Sequence, residues 1–258
     1  MTESTIRMTD VGTGKKVLIL HGLLGAGRNW GNVVRDLSSD HHAYVVDLPN
    51  HGDSAWTASM DYPSQAQEIA QVIESIGAPI TLIGHSMGGK IAMTLALTRS
   101  TLIEALVVVD IAPVTYTHDF GTFTRAMKAV PLAGMTKRSE VEAHLSESIS
   151  DPRIRAFLMQ NLDSTPDGFR WRPNLDLIER SQDDIMGFPD FPPGTAYHGP
   201  TLFISGALSD YVTPEYHAPT RALFPQAEFC QIADAGHWLH ADQAQAFVAE
   251  LRRFLGAH

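Results

Sequence analysis

The stretch that decides the fold covers residues 80–97 and reads ITLIGHSMGGKIAMTLAL. Its first four residues are β-branched or apolar and predict a short buried strand, whereas residues 89–98 predict a helix packed on several sides. The intervening Gly-His-Ser-Met-Gly matches Gly-x-Ser-x-Gly, in which a sharp strand-to-helix turn exposes the serine hydroxyl. The small residues Gly84 and Gly88 allow strand and helix to approach closely. Ser86 is therefore predicted to be a catalytic nucleophile.

The same glycines permit a second interpretation. The segment from Gly84 to Lys90 also matches Gly-x-x-x-x-Gly-Lys, the beginning of a phosphate-binding loop. That motif continues with a Ser or Thr that binds magnesium, but the next residue here is Ile91. Such a loop also normally lies near the first strand of its domain, and at least two predicted strands precede this one. Nucleotide binding is therefore disfavoured.

A serine nucleophile needs a histidine base, and His237 is the best candidate. It follows Gly236 in a loop after residues 227–232, which predict the last strand of the chain. The nearby His240 begins the pattern of the terminal helix and is expected to cap or pack. The two histidines lack a metalloprotease spacing and a nearby third ligand, so no metal site is predicted.

Two carboxylates could orient this histidine. The loop after the predicted strand 201–205 commonly carries the acid in Gly-x-x-Asp-x-x-Val, but the acid position here is Ser209, with Asp210 one residue later. Asp110 closes the apolar strand at 105–109, a position where a carboxylate indicates a functional role, although it could also cap the following turn. Both acids lie between the serine and the histidine in the chain. Chain order therefore leaves both candidates open.

The expected oxyanion hole involves the loop His21-Gly22-Leu23-Leu24-Gly25, which follows a predicted strand at residues 16–20. The predicted donors are the backbone N–H groups of Leu23 and Met87. The His21 side chain is expected to hydrogen-bond within the loop. Leu24 and Trp238 are predicted to line the substrate pocket.

Strand and helix patterns alternate along the chain and predict an α/β fold with a mostly parallel, doubly wound sheet. Residues 1–111 and 199–258 are predicted to form the core. Residues 112–198, hereafter the cap, are predicted to be a strand-free helical insertion that begins after the strand ending at Asp110 and covers Ser86. Helices are expected in the cap at 120–129, 139–148, 154–161 and 175–181. A minority of its Met and aromatic side chains are expected to line the pocket.

The amino-acid composition limits the classes of partner that the chain is expected to bind. The chain has 258 residues, with 19 Lys+Arg against 29 Asp+Glu, and its formal net charge of −10 argues against binding nucleic acid or an anionic membrane. Its one cysteine, Cys230, excludes an intrachain disulfide. The first residues carry no apolar signal core, so cytoplasmic residence is expected. The oligomeric state is left open.

These motifs together resemble the α/β-hydrolase superfamily over nearly the whole chain. More closely, the chain resembles the small bacterial serine esterases related to mitochondrial α/β-hydrolase domain proteins. The resemblance implies that Asp110 is the acid of the triad with Ser86 and His237. It also implies hydrolysis of short- to medium-chain esters or thioesters through an acyl-enzyme, without a cofactor. The segments that carry it are residues 21–25, 28–30, 50–54, 84–90, 109–114 and 236–238.

Other functions remain compatible with this triad. Ser86 argues against dehalogenases and epoxide hydrolases, which need a carboxylate at that position. A carbon–carbon bond hydrolase or a cofactor-free perhydrolase would keep the same three residues. A ligand-binding receptor with slow turnover would keep them as well.

Overall fold

The computed structural model describes residues 6–117 and 121–258. Strands and helices alternate through most of this part of the chain, as the sequence predicts. Short 3-10 turns cover Gly27–Trp30, Ser100–Leu102 and Pro214–Tyr216. In chain order the strands and helices are β1 (Met8–Val11), β2 (Lys15–Leu20), α1 (Gly31–Leu37), β3 (His41–Val46), α2 (Tyr62–Ile76), β4 (Ile80–His85), α3 (Met87–Thr98), β5 (Ile103–Val109), α4 (Gly121–Ala129), α5 (Arg138–Ser148), α6 (Pro152–Met159), β6 (Leu162–Thr165), β7 (Gly168–Trp171), α7 (Leu175–Arg180), α8 (Gln182–Met186), β8 (Thr201–Gly206), α9 (His217–Leu223), β9 (Ala227–Ile232), α10 (Leu239–Asp242) and α11 (Ala244–Leu255).

Seven of the strands form one sheet in the order β1-β3-β2-β4-β5-β8-β9. All neighbours pair in parallel except β1, which runs antiparallel to β3 at the edge. The chain order reverses around β2 and β4, and the carboxyl ends of the central strands meet at one edge of the sheet. Ligands of open α/β sheets bind at such a point. The prediction of a mostly parallel α/β sheet is confirmed.

Helices cover both faces of this sheet. In β2, Leu18 and Leu20 belong to the cluster that contains α2 and α3, whereas Val17 and Ile19 belong to the cluster that contains α1 and α11. All four side chains are at most 1% exposed. Burying each of them contributes roughly 1.5–3 kcal/mol to folding. The near-continuous apolar sequence of the strand follows from this burial on two sides.

The cap lies between β5 and β8 and contains the five helices α4 to α8. Its predicted strand-free character is wrong, because β6 and β7 form an antiparallel hairpin. The turn between them is Pro166-Asp167, with Gly168 at φ 123°, a turn signal visible in the sequence. The predicted helix start at Phe120 lies outside the described residues. The boundaries at residues 112 and 198 stay a prediction.

One strand of the large sheet has no signal in the sequence. Strand β1 is short and mostly exposed, so it shows no apolar pattern. Helix α2 begins at Tyr62, and the carboxylate of Asp61 accepts a hydrogen bond from Ser64 N at 2.8 Å and caps this helix. Within the described residues, no helix has the length and apolar character needed to cross a membrane.

Candidate active site

Strained backbone marks the carboxyl edge of the sheet. Five non-glycine residues of the described chain have left-handed φ angles, and each lies in a loop directly after a strand of the large sheet. A single residue held in this region costs about 1–3 kcal/mol, and such residues concentrate at functional sites. They are Leu24 (57°), Asn50 (66°), Ser86 (51°), Asp110 (52°) and Asp234 (55°).

The turn at Ser86 has the geometry that the motif predicts. Its backbone adopts φ 51° and ψ −119° between β4 and α3, and its N–H donates to Val109 O at 3.0 Å. A Cβ on Gly84 would lie 2.3 Å from Gly88 O, and one on Gly88 would lie 2.5 Å from His21 O. Any side chain at these glycines would therefore push the helix away from the sheet. Close packing fixes Ser86 at the sheet edge.

His237 and Asp110 are joined directly. The Nδ1–H of His237 donates to Asp110 Oδ2 at 2.7 Å, and Asp110 is fully buried. Both Ser86 and His237 line one cavity. The described residues include no hydrogen bond between their side chains, a contact that in many enzymes tightens only in the substrate complex. The structure thus brings together the three residues predicted for the triad.

Asp110 is held by donors from a neighbouring strand. Its backbone N–H donates to Ile204 O at 2.8 Å, and its Oδ1 accepts from Gly206 N at 3.0 Å. Its Oδ2 accepts from Ser209 Oγ at 2.5 Å as well as from the histidine. Ser209, at the usual acid position of the superfamily, therefore hydrogen-bonds the carboxylate that contacts His237. Asp210, the alternative acid, is exposed.

Two neighbours of His237 were missed in the sequence. The His85 Nε2–H donates to His237 O at 2.9 Å and fixes the backbone of the loop. Burial, reinforced by His237 and His240 nearby, lowers the pKa of His85 well below 6.5, so its ring is neutral. The ring of Tyr211 packs 4.3 Å from that of His237. His85 stood inside the motif, at a position where the motif specifies no residue type.

The predicted oxyanion donors adjoin the serine. Leu23 and Met87 line a common cavity with Ser86, and neither backbone N–H donates to a backbone acceptor within the described residues. The loop approaches closely because Gly22 lacks a side chain: a Cβ there would lie 3.2 Å from Ser86 Cβ. The side chain of His21 stabilises the conformation of this loop, since its Nδ1–H donates to Gly22 O at 2.8 Å.

Two further buried histidines near the site, His21 and His240, are neutral. His21 Nε2 accepts from Leu48 N at 2.9 Å, and burial lowers the pKa of this imidazole to about 4. Burial, followed by the influence of His237, lowers the pKa of His240 to about 3. The His240 ring stacks on Trp30 with centroids 4.3 Å apart, which agrees with a packing role. These two imidazoles and that of His85 therefore contribute no charge to the region around Ser86.

Three cavities meet around the serine. The central one, about 40 Å³, contains Ser86, His237, Leu24 and Trp238, and the cap residues Phe123 and Phe157 close it from above. A second, about 20 Å³, extends from Ser86 to Lys90, with Ile185 and Met186 from the cap. A third, about 650 Å³, lies on the His237 side. Its lining includes Arg28, Asn29, Arg153, Phe157, Gln160, Trp238 and Asp242.

Cap residues contribute to this lining unevenly. Among the apolar side chains of the cap, Phe157 lines two of the cavities, whereas Met127 and Leu158 are buried in the hydrophobic core. No group of three or more His, Cys, Asp or Glu side chains is placed to hold a metal ion in residues 6–117 and 121–258.

Comparison with known proteins identifies the family. The model of the alpha/beta hydrolase fold family matches residues 15–244. The chain is 39% identical to sn-1-specific diacylglycerol lipase ABHD11 of Mus musculus, over 93% of this chain and 80% of that protein. It is 36% identical to esterase YbfF of Escherichia coli K12, over 93% of this chain and 92% of that protein.

A solved structure agrees with both relatives. A marine microorganism esterase superposes with a TM-score of 0.93 at 34% identity, covering 96% of this chain and 98% of that one. The resemblance inferred from the motifs is thereby confirmed, and the chain belongs to the α/β-hydrolase family.

Proposed function

We propose that this carboxylic ester hydrolase is a serine esterase that forms an acyl-enzyme on Ser86. One observation carries the proposal: His237 is bonded to the buried Asp110 and lines the same cavity as the strained Ser86. A nucleophile, a base and an orienting acid are the groups that acyl transfer requires. The names of the esterase and lipase relatives agree with this chemistry.

In the first step, His237 Nε2 takes the proton of Ser86 Oγ as the oxygen attacks the ester carbonyl. The carbonyl oxygen becomes an oxyanion, which the N–H groups of Leu23 and Met87 stabilise. The imidazolium then gives its proton to the leaving alcohol or thiol as the bond to the acyl carbon breaks. The products are the free leaving group and an ester on Ser86.

In the second step, His237 takes a proton from water as the water oxygen attacks the acyl carbon. The imidazolium then gives this proton to Ser86 Oγ as the bond between that oxygen and the acyl carbon breaks, which releases the acid and restores the free serine. The Asp110 carboxylate accepts from Nδ1–H in both steps, so that in the neutral ring Nε2 is the unprotonated nitrogen that can take a proton. It also stabilises the imidazolium formed in each step. All of these groups belong to the chain itself, and we propose no cofactor.

For the substrate, we propose short- to medium-chain carboxylic esters or thioesters. The support is the small volume near Ser86 and the apolar cap side chains Phe123, Phe157 and Ile185 that bound it. Leu24 and Trp238 complete the pocket from the core. We further propose cytoplasmic residence, supported by a single cysteine in the sequence.

A fluorophosphonate tests the proposal directly. The reagent should add one label, on Ser86, and abolish hydrolysis of 4-nitrophenyl butyrate. Ser86→Ala should neither label nor turn over at more than a residual rate. Ser146→Ala, at an exposed serine of α5, is the matched control and should behave as the wild type. A label on another residue, or full activity in Ser86→Ala, would overturn the proposal.

A further inference from the structure

The two cavities that extend from the central one differ in size and in neighbours. The large one, about 650 Å³, is lined by His237 but not by Ser86. The small one, about 20 Å³, is lined by Ser86, Leu23 and Met87 but not by His237. Because His237 must protonate the leaving group, that group belongs on the His237 side. The acyl group is then left with the small cavity beside the oxyanion donors.

Lys90 lies at the end of this small cavity. It follows Ser86 by one helical turn, with Lys90 N donating to Ser86 O at 3.1 Å, so both side chains lie on one face of α3. Only 1% of Lys90 is exposed. Its Nζ donates to Met186 O at 2.8 Å and to Gly187 O at 2.5 Å, and it lies 4.9 Å from the ring centroid of Tyr116.

This buried amine lacks a carboxylate partner. No Asp or Glu of the described chain forms an ion pair with Lys90, and desolvation by burial lowers its pKa to about 7. Two carbonyls occupy two of the three N–H donors of an ammonium, which leaves one. The neighbouring hydroxyls are already engaged: Tyr62 donates to Ile185 O and Tyr116 to Tyr211 O, each at 2.6 Å.

An anion in the cavity would supply the hydrogen-bond acceptor and the negative charge that Lys90 lacks. It would accept the remaining N–H and compensate the charge of a cation removed from water. The small volume of this cavity, about 20 Å³, limits the length of an acyl chain that reaches Lys90. Resting on the proposed acyl-enzyme function, we propose that Lys90 selects short acyl groups that end in a carboxylate.

A pair of esters of equal shape tests this inference. Monoethyl malonate and ethyl 3-methylbutanoate differ in having a carboxylate or an isopropyl group at the end of the acyl chain. The wild type should have at least a tenfold higher kcat/KM for the malonate ester. In Lys90→Met the ratio of the two kcat/KM values should fall about 10- to 100-fold. A wild-type preference for the isopropyl ester, or an unchanged ratio in Lys90→Met, would overturn the inference.

A matched control separates selectivity from loss of a buried lysine. Lys16 is half-buried and its Nζ also donates to a backbone carbonyl, that of Gly77 at 3.0 Å, away from the cavities. Lys16→Met should keep the wild-type ratio. If Lys90→Met acts only by loosening the cap, both esters should lose activity equally, which would contradict the inference.

A measurement on the wild type removes any dependence on folding of the variant. Malonate should inhibit ethyl butyrate hydrolysis at least tenfold more strongly than 3-methylbutanoate, because each has one carboxylate for the oxyanion site and malonate has a second. Equal inhibition would overturn the inference. Failure of the proposed function looks different: neither ester would be hydrolysed and Ser86 would take no fluorophosphonate label.

Discussion

The carboxyl edge of the sheet and the cap contribute to one site in different ways. At the edge, the backbone fixes the groups: Ser86 and Asp110 are held by strand hydrogen bonds at left-handed φ angles. The cap contributes side chains, of which Phe157 and Met186 are only half-buried. The difference implies that the edge sets the rate of the chemical step for every substrate. We propose that the cap sets the preferred length of the acyl chain.

Replacing Asp110 should cause a larger fall in kcat than replacing Asp210 or Ser209. Asp110→Asn keeps the shape but favours the wrong tautomer of His237, so kcat should fall by up to about 10,000-fold in steady-state ester hydrolysis. Asp210→Asn, at the exposed neighbouring candidate, should change kcat by less than about threefold. The opposite order would assign the acid to Asp210, and a moderate fall in both would assign the task to the pair.

Enlarging the pocket from the cap should change preference. Met186 lines the small cavity, and Met186→Ala should raise kcat/KM for a hexanoate ester relative to an acetate ester by roughly 10- to 200-fold. Met135→Ala is a matched control, since this half-buried cap methionine lines none of the three cavities around Ser86. A flat chain-length response in Met186→Ala would place selectivity in the core instead, at Leu23, Leu24 or Trp238.

Substitution of Ser209 tests how strongly kcat depends on the hydrogen bond that Ser209 donates to Asp110. Ser209→Ala removes the 2.5 Å donor to Asp110 Oδ2, so kcat should fall about 15-fold while KM stays unchanged. Ser209→Thr keeps the hydroxyl and should restore most of kcat. A rise in KM with constant kcat would show that Ser209 acts on substrate binding and not through Asp110.

Low pH should destabilise the folded protein, because the buried histidines at the carboxyl edge of the sheet are neutral in the folded state. Burial lowers the pKa of His21 to about 4 and the pKa values of His51 and His240 to about 3, from 6.5 in the unfolded chain. The unfolded chain therefore binds more protons below pH 6.5. Each histidine should lower the free energy of unfolding by about 1.4 kcal/mol per pH unit as the pH falls from 6.5 towards 4.

Urea unfolding at several pH values measures this slope. His51→Gln should reduce it, because one buried imidazole no longer titrates. His144→Gln, at an exposed position of the cap, should leave it unchanged. A slope in His51→Gln equal to that of the wild type would show that other groups dominate acid unfolding.

The two regions also differ in how far the sequence predicted them. At the edge, a strand, a glycine-flanked serine and a helix are contiguous in the chain, so local pattern was sufficient to place Ser86. The element of Asp110 is predicted from the apolar strand that this residue closes. The element of His237 is predicted from the strand pattern at residues 227–232 and the loop glycine Gly236 that precedes it. Parallel strands end at a common edge, which is why residues so distant in sequence meet there.

The missed features depend on contacts that pattern does not encode. The hydrogen bond from Ser209 to Asp110 depends on the register of β8 against β5. The hydrogen bond from His85 to His237 O depends on the path of the loop after β9. Strand β1 is too exposed to show an apolar run. The cap hairpin did carry a Pro-Asp-Gly turn signal. The two strands that flank this turn have only four residues each, too few to show an alternating pattern.

One panel of ethyl esters from acetate to octanoate tests the division between edge and cap most directly. Its readout is kcat/KM for every ester in the wild type, Asp110→Asn and Met186→Ala. Asp110→Asn should lower all values by a common factor, within about threefold, and Met186→Ala should reorder them. If Asp110→Asn reorders the esters, or if Met186→Ala lowers all of them equally, edge and cap do not divide rate and selectivity between them.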